Sequence, residues 1–220
     1  MEHLISWGGG VNSTAIIALH LLGELEGKPE IVFADTGCEY PETYGYINVV
    51  GNTLVKEGFK VTVLRPYTHS ELYSKFAKET KSLVDACKLK KCVPHFKWRW
   101  CNDHFKRTPL KKYADGKPYM IGICKDEQHR IHVGKDLYPI KDYTRQECID
   151  LIAKSGLPPS HKTGCYICPL QRKAQWIDMY KNNLELWKEC IELEKNSKLT
   201  FIHGITLEEK MNKWIQKEKK

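Results

Sequence analysis

The residues of this chain best suited to chemistry are a glycine-rich stretch near its start and a set of cysteines further on. Ser6-Trp7-Gly8-Gly9-Gly10-Val11-Asn12-Ser13-Thr14-Ala15 follows the apolar Leu4 and Ile5 and opens an apolar, helix-length segment from Ala15 to Leu25. A glycine turn between a strand and a helix N-terminus is a place for phosphate. Glycines let the backbone come close to an anion, several N–H groups point into the turn, the helix dipole favours negative charge, and Ser13 and Thr14 add hydroxyl donors. The turn has neither the Gly-Lys-Ser/Thr ending of a Walker A loop nor the G-x-G-x-x-G of a dinucleotide fingerprint. A third type of phosphate loop is expected.

The nine cysteines are spread unevenly. Cys87, Cys92 and Cys101 gather in one basic, aromatic segment; Gly164-Cys165-Tyr166-Ile167-Cys168-Pro169 holds a C-x-x-C; Cys38, Cys124, Cys148 and Cys190 stand alone and read as small buried apolar residues. A C-x-x-C puts two thiolates on one tight turn, where backbone N–H groups can hydrogen-bond to the sulfurs, as in metal knuckles. The N-terminus does not read as a signal peptide, which gives a cytoplasmic expectation. An odd cysteine count in that setting argues against a disulfide framework and for metal ligands, nucleophiles or reduced thiols.

These groups need a scaffold to position them. Strand, glycine turn, helix, strand (Glu30 to Ala34), helix (about Pro41 to Glu57) and strand (Lys60 to Leu64) alternate over the first 65 residues, and Tyr119 to Cys124 reads as a later central strand. That alternation implies an α/β fold, a Rossmann-like parallel sheet of about five strands with helices on both faces. Ligands in such folds sit at the carboxyl ends of the strands, where strand order reverses. Residues 1–134 are expected to form the nucleotide-binding domain and 135–220 a helical C-terminal region carrying the cysteine turn. Thr144 and Glu147 make a capping box for a helix with Cys148, Ile149, Leu151 and Ile152 on its buried face. Apolar stripes from Trp176 to Ile215 read as core, or as the seam of a homodimer.

The connection from His69 to Lys112 interleaves Lys88 to Lys91, Arg99 and Lys106 with Phe96, Trp98, Trp100 and Phe105. Such a mixture suits a lid, a nucleic-acid contact surface or a solvated helical hairpin. A net charge of +8 favours an anionic ligand or partner, although a solvated lysine surface explains much of it. No apolar run is long enough to span a bilayer.

Taken in order, the motifs resemble the phosphoadenosine phosphosulfate (PAPS) reductase family, adenine-nucleotide α-hydrolases with a pyrophosphate-binding PP-loop. The family's S-G-G-x-D-S-T loop stands here as Gly8-Gly9-Gly10-Val11-Asn12-Ser13-Thr14; its D-T-G-x-x-x-P-E-T as Asp35-Thr36-Gly37-Cys38-Glu39-Tyr40-Pro41-Glu42-Thr43; its W-C-x-x-x-K-x-x-P-L as Trp100 to Leu110. A G-x-R-x-x-E-S-x-x-R block is degraded to Gly122 through Arg130, and Y-P-I-x-x-W-T becomes Tyr138 through Thr144.

The resemblance implies that Ser6, Gly8, Gly9, Gly10, Asn12, Ser13 and Thr14, with Asp35, Thr36 and Gly37, bind ATP or another adenine nucleotide with Mg²⁺. It implies catalytic roles for Asp35, Lys106 and Arg130, the two cations meeting phosphate or sulfate. It also sets Cys101 beside the C-x-x-C, giving Cys92, Cys101, Cys165 and Cys168 as ligands of a [4Fe-4S] cluster or a zinc ion, with Cys87 as a substitute for Cys92. The departures choose among reactions. Sulfonucleotide reductases carry their nucleophile in a C-terminal E-C-G-x-H motif, and Thr206 to Lys220 has no cysteine. The expectation is therefore an ATP pyrophosphatase of the sulfur-transfer branch, which cleaves the α–β phosphate bond and takes sulfur from a donor protein for DNA, tRNA or a small molecule. The alternatives are a thiol-dependent PAPS or adenylyl sulfate reductase and a non-catalytic nucleotide- or nucleic-acid-binding module.

Overall fold

β-branched and aromatic residues in short runs build the central layer. In the computed structural model, which describes residues 3–218, these runs form β1 (Leu4–Ser6), β2 (Glu30–Ala34), β3 (Val61–Leu64) and β4 (Tyr119–Met120), hydrogen-bonded in parallel in the order β3-β2-β1-β4. Ile31, Val32 and Phe33 are at most 2% exposed, as a parallel strand covered on both faces must be. The chain steps outward from β1 to β3 and then returns to place β4 on the other side of β1. Strand order therefore reverses between β1 and β4.

The sheet has four strands where about five were expected. Beyond β4 the neighbouring segment contributes one residue: Leu137 bridges Met120 in parallel, donating to Tyr119 O and accepting from Ile121 N. β4 itself is short because Gly122 leaves the sheet to pack on the start of the first helix.

That helix, α1 (Val11–Leu21), begins directly at the glycine turn rather than at Ala15. α2 (Pro41–Lys56) starts with proline at its first turn, where no backbone N–H is lost from the helix ladder. α3 (Leu83–Lys90) is capped by Ser82 Oγ, which accepts from Asp85 N. A short helix α4 (Trp100–Asn102) runs through a π-helical turn, Asp103–Arg107, into α5 (Thr108–Ala114). α6 (Arg145–Lys154) carries the expected capping box between Thr144 and Glu147. α7 (Lys173–Asn182), α8 (Leu184–Lys195) and α9 (Leu207–Glu218) complete the chain.

Two main cores result, and they cross the expected domain boundary. α6 packs on α1, so Cys148, Leu151 and Ile152 join the sheet core with Ile5, Ile17 and Phe33. The second core joins the 69–112 connection to the C-terminal helices through Tyr73, Trp100, Phe105, Trp176, Trp187 and Phe201. The connection is thus partly interior, while Phe96 and Trp98 remain exposed. Among the described residues no helix is long and apolar enough to cross a membrane.

Candidate functional site

The glycine turn is held open from below. Trp7 Nε1 donates to Thr14 Oγ1 at 3.0 Å beneath the turn, so Thr14, fully buried, braces the loop and does not reach into it. Gly9 takes φ +72, a left-handed conformation that favours glycine, and a Cβ there would lie 3.0 Å from Ile47 Cδ1. Gly10 is the N-cap of α1; no side chain caps this end, and the first turn has no acidic residue. The orphan N–H groups and the positive end of the dipole are left for an anion. Ser13 Oγ accepts from Gly8 N and donates to Gly10 O, both at 3.3 Å.

The loop opens into a crevice of about 720 Å³ at the carboxyl ends of β1 and β4, where strand order reverses. Ser6, Gly8, Gly10, Asn12 and Ser13 line one wall; Gly122, Glu127 and Arg130 line another; Arg145, Lys162 and Arg172 approach from the C-terminal half. A second cavity of about 710 Å³ shares Ser6 and Ile121 with it and continues along α5 to Tyr119. Asn12 Nδ2 donates to Glu127 Oε2 at 2.9 Å and approaches Cys124 Sγ at 3.5 Å, while Arg130 donates to Glu127 Oε1 at 2.7 Å. The carboxylate bonded to the loop's Asn12 therefore comes from Glu127, and Asp126 lines the same crevice.

Asp35, Thr36 and Gly37 do not join this crevice. Asp35 is 3% exposed; its Oδ1 accepts from Gly37 N and Tyr44 Oη at 2.8 Å each, and its Oδ2 accepts from Arg65 Nε at 2.9 Å. It is a turn carboxylate in an ion pair with Arg65, a role that competes with catalysis or metal binding. Gly37, at φ +72, packs against Ser82 at the cap of α3. Thr36 faces the cysteine turn.

Lys106 also lies at that turn rather than at the loop. Its Nζ donates to Glu39 Oε1 at 3.2 Å; burial pulls the ammonium pKa down, but Glu39 and Cys165 outweigh that and hold it above the ordinary lysine range. The same Glu39 oxygen accepts from Thr36 Oγ1 at 3.1 Å and from Cys165 Sγ at 3.3 Å. Glu39 and Cys165 pair across an antiparallel bridge, with Tyr166 N donating to Cys38 O at 3.0 Å. Two residues upstream, Thr163 packs on the loop: its Cγ2 would stand 3.3 Å from a Cβ at Gly9. The cysteine turn and the phosphate loop are thus adjacent.

Burial, then Cys165 and Cys168, push the Cys101 thiol up to about 12, and burial is the first cause raising Cys168, with Cys165 adding to it. Cys87 is raised by burial and by Cys101, Cys92 and Cys165. Cys92 differs. Its Sγ donates to Val93 O, and the charges that act on it are Lys90 and Lys198. Among the described residues no three His, Cys, Asp or Glu side chains converge as a ready metal site, so Cys92, Cys101, Cys165 and Cys168 are not drawn together here. Cys101 lies near both Cys165 and Cys168, and Cys87 lies near Cys101 and Cys92.

The family model described as the phosphoadenosine phosphosulfate reductase domain matches residues 2–171. The chain belongs to that family. The PAPS reductase of Candida auris, solved as a phosphate complex, has the same fold, with a TM-score of 0.51 at 14% identity over 75% of this chain and 82% of that one. An uncharacterized protein of Methanocaldococcus jannaschii is 24% identical over 84% of this chain, and an uncharacterized nin-region protein of Escherichia phage lambda is 25% identical over 81%. The chain spans 40% of the archaeal relative and 69% of the phage one. A PAPS reductase-family domain of this kind is a nucleotide-binding member of the PP-loop superfamily.

Glu39, Arg145, Lys162 and Arg172 escape a reading by motif. Glu39 stands at an unspecified position of its block, and the three cations lie outside all the family blocks. Glu127 did carry a signal, as the glutamate of the degraded block.

Proposed function

We propose that this PAPS reductase-family chain binds ATP in the loop crevice and breaks the bond between its α and β phosphates. The arrangement that carries the reading is the uncapped start of α1, with Gly8, Gly10 and Ser13, opening at the strand-order reversal beside Arg130. The triphosphate lies along the loop, and the neighbouring cavity past Ser6 and Ile121 takes the adenosine. An acceptor oxygen attacks the α-phosphorus; the bond to the bridging oxygen breaks, and pyrophosphate leaves with that electron pair. Backbone N–H groups of the turn and the guanidinium of Arg130 meet the negative charge that develops on the leaving group. When bound, Mg²⁺ supplies further neutralisation of the phosphates. Asp126 is a hard oxygen donor of the right type at the crevice, whereas Glu127 is held by Asn12 and Arg130 and Asp35 by Arg65.

A thiolate- or sulfide-level sulfur from a donor protein then attacks the adenylylated centre, and AMP leaves with the electron pair of the broken bond to oxygen. Phe96 and Trp98 are 40% and 52% exposed among lysines, which suits stacking on bases of a DNA or tRNA acceptor. Cys101, Cys165, Cys168 and, in place of Cys92, Cys87 are proposed to hold a metal centre, [4Fe-4S] in preference to zinc, that fixes the cysteine turn beside the loop. The reaction takes place in the cytoplasm.

ATP labelled at the α-phosphate separates the outcomes. With Mg²⁺ and an acceptor extract, label is expected in AMP or in an adenylylated product with stoichiometric pyrophosphate; label in ADP with free phosphate rules the reading out. A second reading, sulfonucleotide reduction, is favoured by one observation: the half-buried Cys165 thiol donates to Glu39 beside the Lys106 ammonium. Sulfite release from adenylyl sulfate or PAPS with reduced thioredoxin would establish it.

A further inference from the structure

We infer that the aromatic recess between the turn at 95–98 and α9 holds one unpaired base of a single-stranded nucleic acid, and so sets which nucleotide of that strand reaches the loop crevice. The inference rests on the reading of a nucleic-acid acceptor and names the residues that grip it. The recess measures about 330 Å³, at the small end of ligand sites, which suits one base rather than a whole nucleotide. Its lining combines the exposed Phe96 and His203 with the half-buried Trp214 and the buried rings of Trp176 and Phe201. These rings come from three stretches far apart in the chain: the 95–98 turn, α7, and the segment from Phe201 into α9.

Phe96 is exposed yet held. Its ring centroid lies 4.7 Å from that of His95 and 5.8 Å from that of His203, and His95 is itself buried, with Nδ1 accepting from Lys97 N at 3.2 Å. A ring fixed in this way has little rotamer freedom left to lose when a base stacks on it. Each outer ring also has a cation beside it: Lys97 Nζ is 5.7 Å from the Phe96 centroid, and Lys210 Nζ is 5.7 Å from that of Trp214. No carboxylate is among the lining residues. Rings paired with ammonium groups match a nucleotide, whose base stacks while its phosphate meets the cation. The one lining amide is already used, since Tyr40 Oη donates to Gln171 Oε1 and Gln171 Nε2 donates to Tyr166 O at 2.7 Å. The recess therefore grips a base by its face and reads little of its edge. Its place makes the grip useful: Gln171 and Lys173 line the recess, and Arg172 between them lines the loop crevice. A strand anchored by one base carries its neighbouring nucleotide across Arg172 to the nucleotide site.

Fluorescence anisotropy of the full chain with labelled oligo-dT, oligo-U and an abasic strand of equal length tests this. Because Phe96 is exposed, F96A removes the stacking face with little effect on packing. It is expected to bind the base-bearing strands about tenfold more weakly than wild type and the abasic strand within about twofold, and F96W should restore the loss. K97Q/K210Q should weaken all three strands and flatten the salt dependence, as loss of phosphate contacts does. This pattern with oligo-dT supports a DNA strand in the recess, and with oligo-U an RNA strand. The assignment is overturned if F96A binds the base-bearing strands as wild type does, if it weakens the abasic strand equally, or if wild type binds no strand, the result that a protein partner would give. Calorimetry of wild type with ATP reads the loop separately: binding of the strand without binding of ATP would keep the recess and count against the loop reading.

Discussion

Replacement of Gly122 by valine is expected to abolish nucleotide binding. A Cβ at this position would stand 2.6 Å from Ser13 N and 2.7 Å from Asn12 C, both backbone atoms of the loop-to-helix junction. Neither can rotate away, so the end of β4 and the first turn of α1 must separate. The orphan N–H groups of that turn would lose their common aim. Overpacking of this kind costs about 1–3 kcal/mol, so the variant should fold with a lowered melting temperature while ATP affinity falls by at least about two orders of magnitude. Gly45 provides the contrast. It lies exposed inside α2 with open space where a Cβ would go, so G45A should raise stability by about 0.5–1 kcal/mol and leave binding unchanged. Calorimetric titration with ATP, alongside thermal melts, checks both.

A second large effect is expected at the cysteines. Protein purified without oxygen should be brown and hold about four irons per chain if a [4Fe-4S] centre is present. With Cys87 as the fourth ligand, C87S should remove most of that iron and C92S should keep it: Cys87 lies beside Cys101 as well as Cys92, and the Cys92 thiol is spent on Val93 O. The metal-depleted variant should also melt earlier, since binding energy at such a site is folding energy. Iron retained in C87S and lost in C92S would restore the Cys92 set. Colourless wild type with one zinc would keep the ligands and change the metal; neither metal would make these thiols packing or redox residues.

The loop, β2 and the Thr144 cap are legible in the amino-acid sequence because they are local devices. Each depends on residues within one turn or strand, so propensity and spacing suffice. The same holds for the α/β class, since strand and helix alternate along the chain. The shortness of β4 leaves no such trace, because it arises from Gly122 meeting the start of α1, a contact between residues far apart in the chain. Asp35 marks the limit more sharply. Its motif is legible, but whether its carboxylate faces the crevice depends on Arg65, which comes from the end of β3. Lys106 is likewise legible as a cation and illegible as the partner of Glu39, because an ion pair between the approach to α2 and the π-helical turn has no periodic signature. Arg145, Lys162 and Arg172 carry no motif at all. Their meaning lies in convergence, which only the folded chain provides.

The position of the nucleotide can be read most directly by photolabelling. With 8-azido-ATP, ultraviolet cross-linking and peptide mass mapping, the label is expected in peptides that contain Ser6 or Ile121, or in the stretch from Arg107 to Tyr119 that continues the same cavity, and excess ATP should prevent it. Label confined to the exposed Phe96 and Trp98 surface, or label that ATP does not displace, would contradict a nucleotide site between β1 and β4.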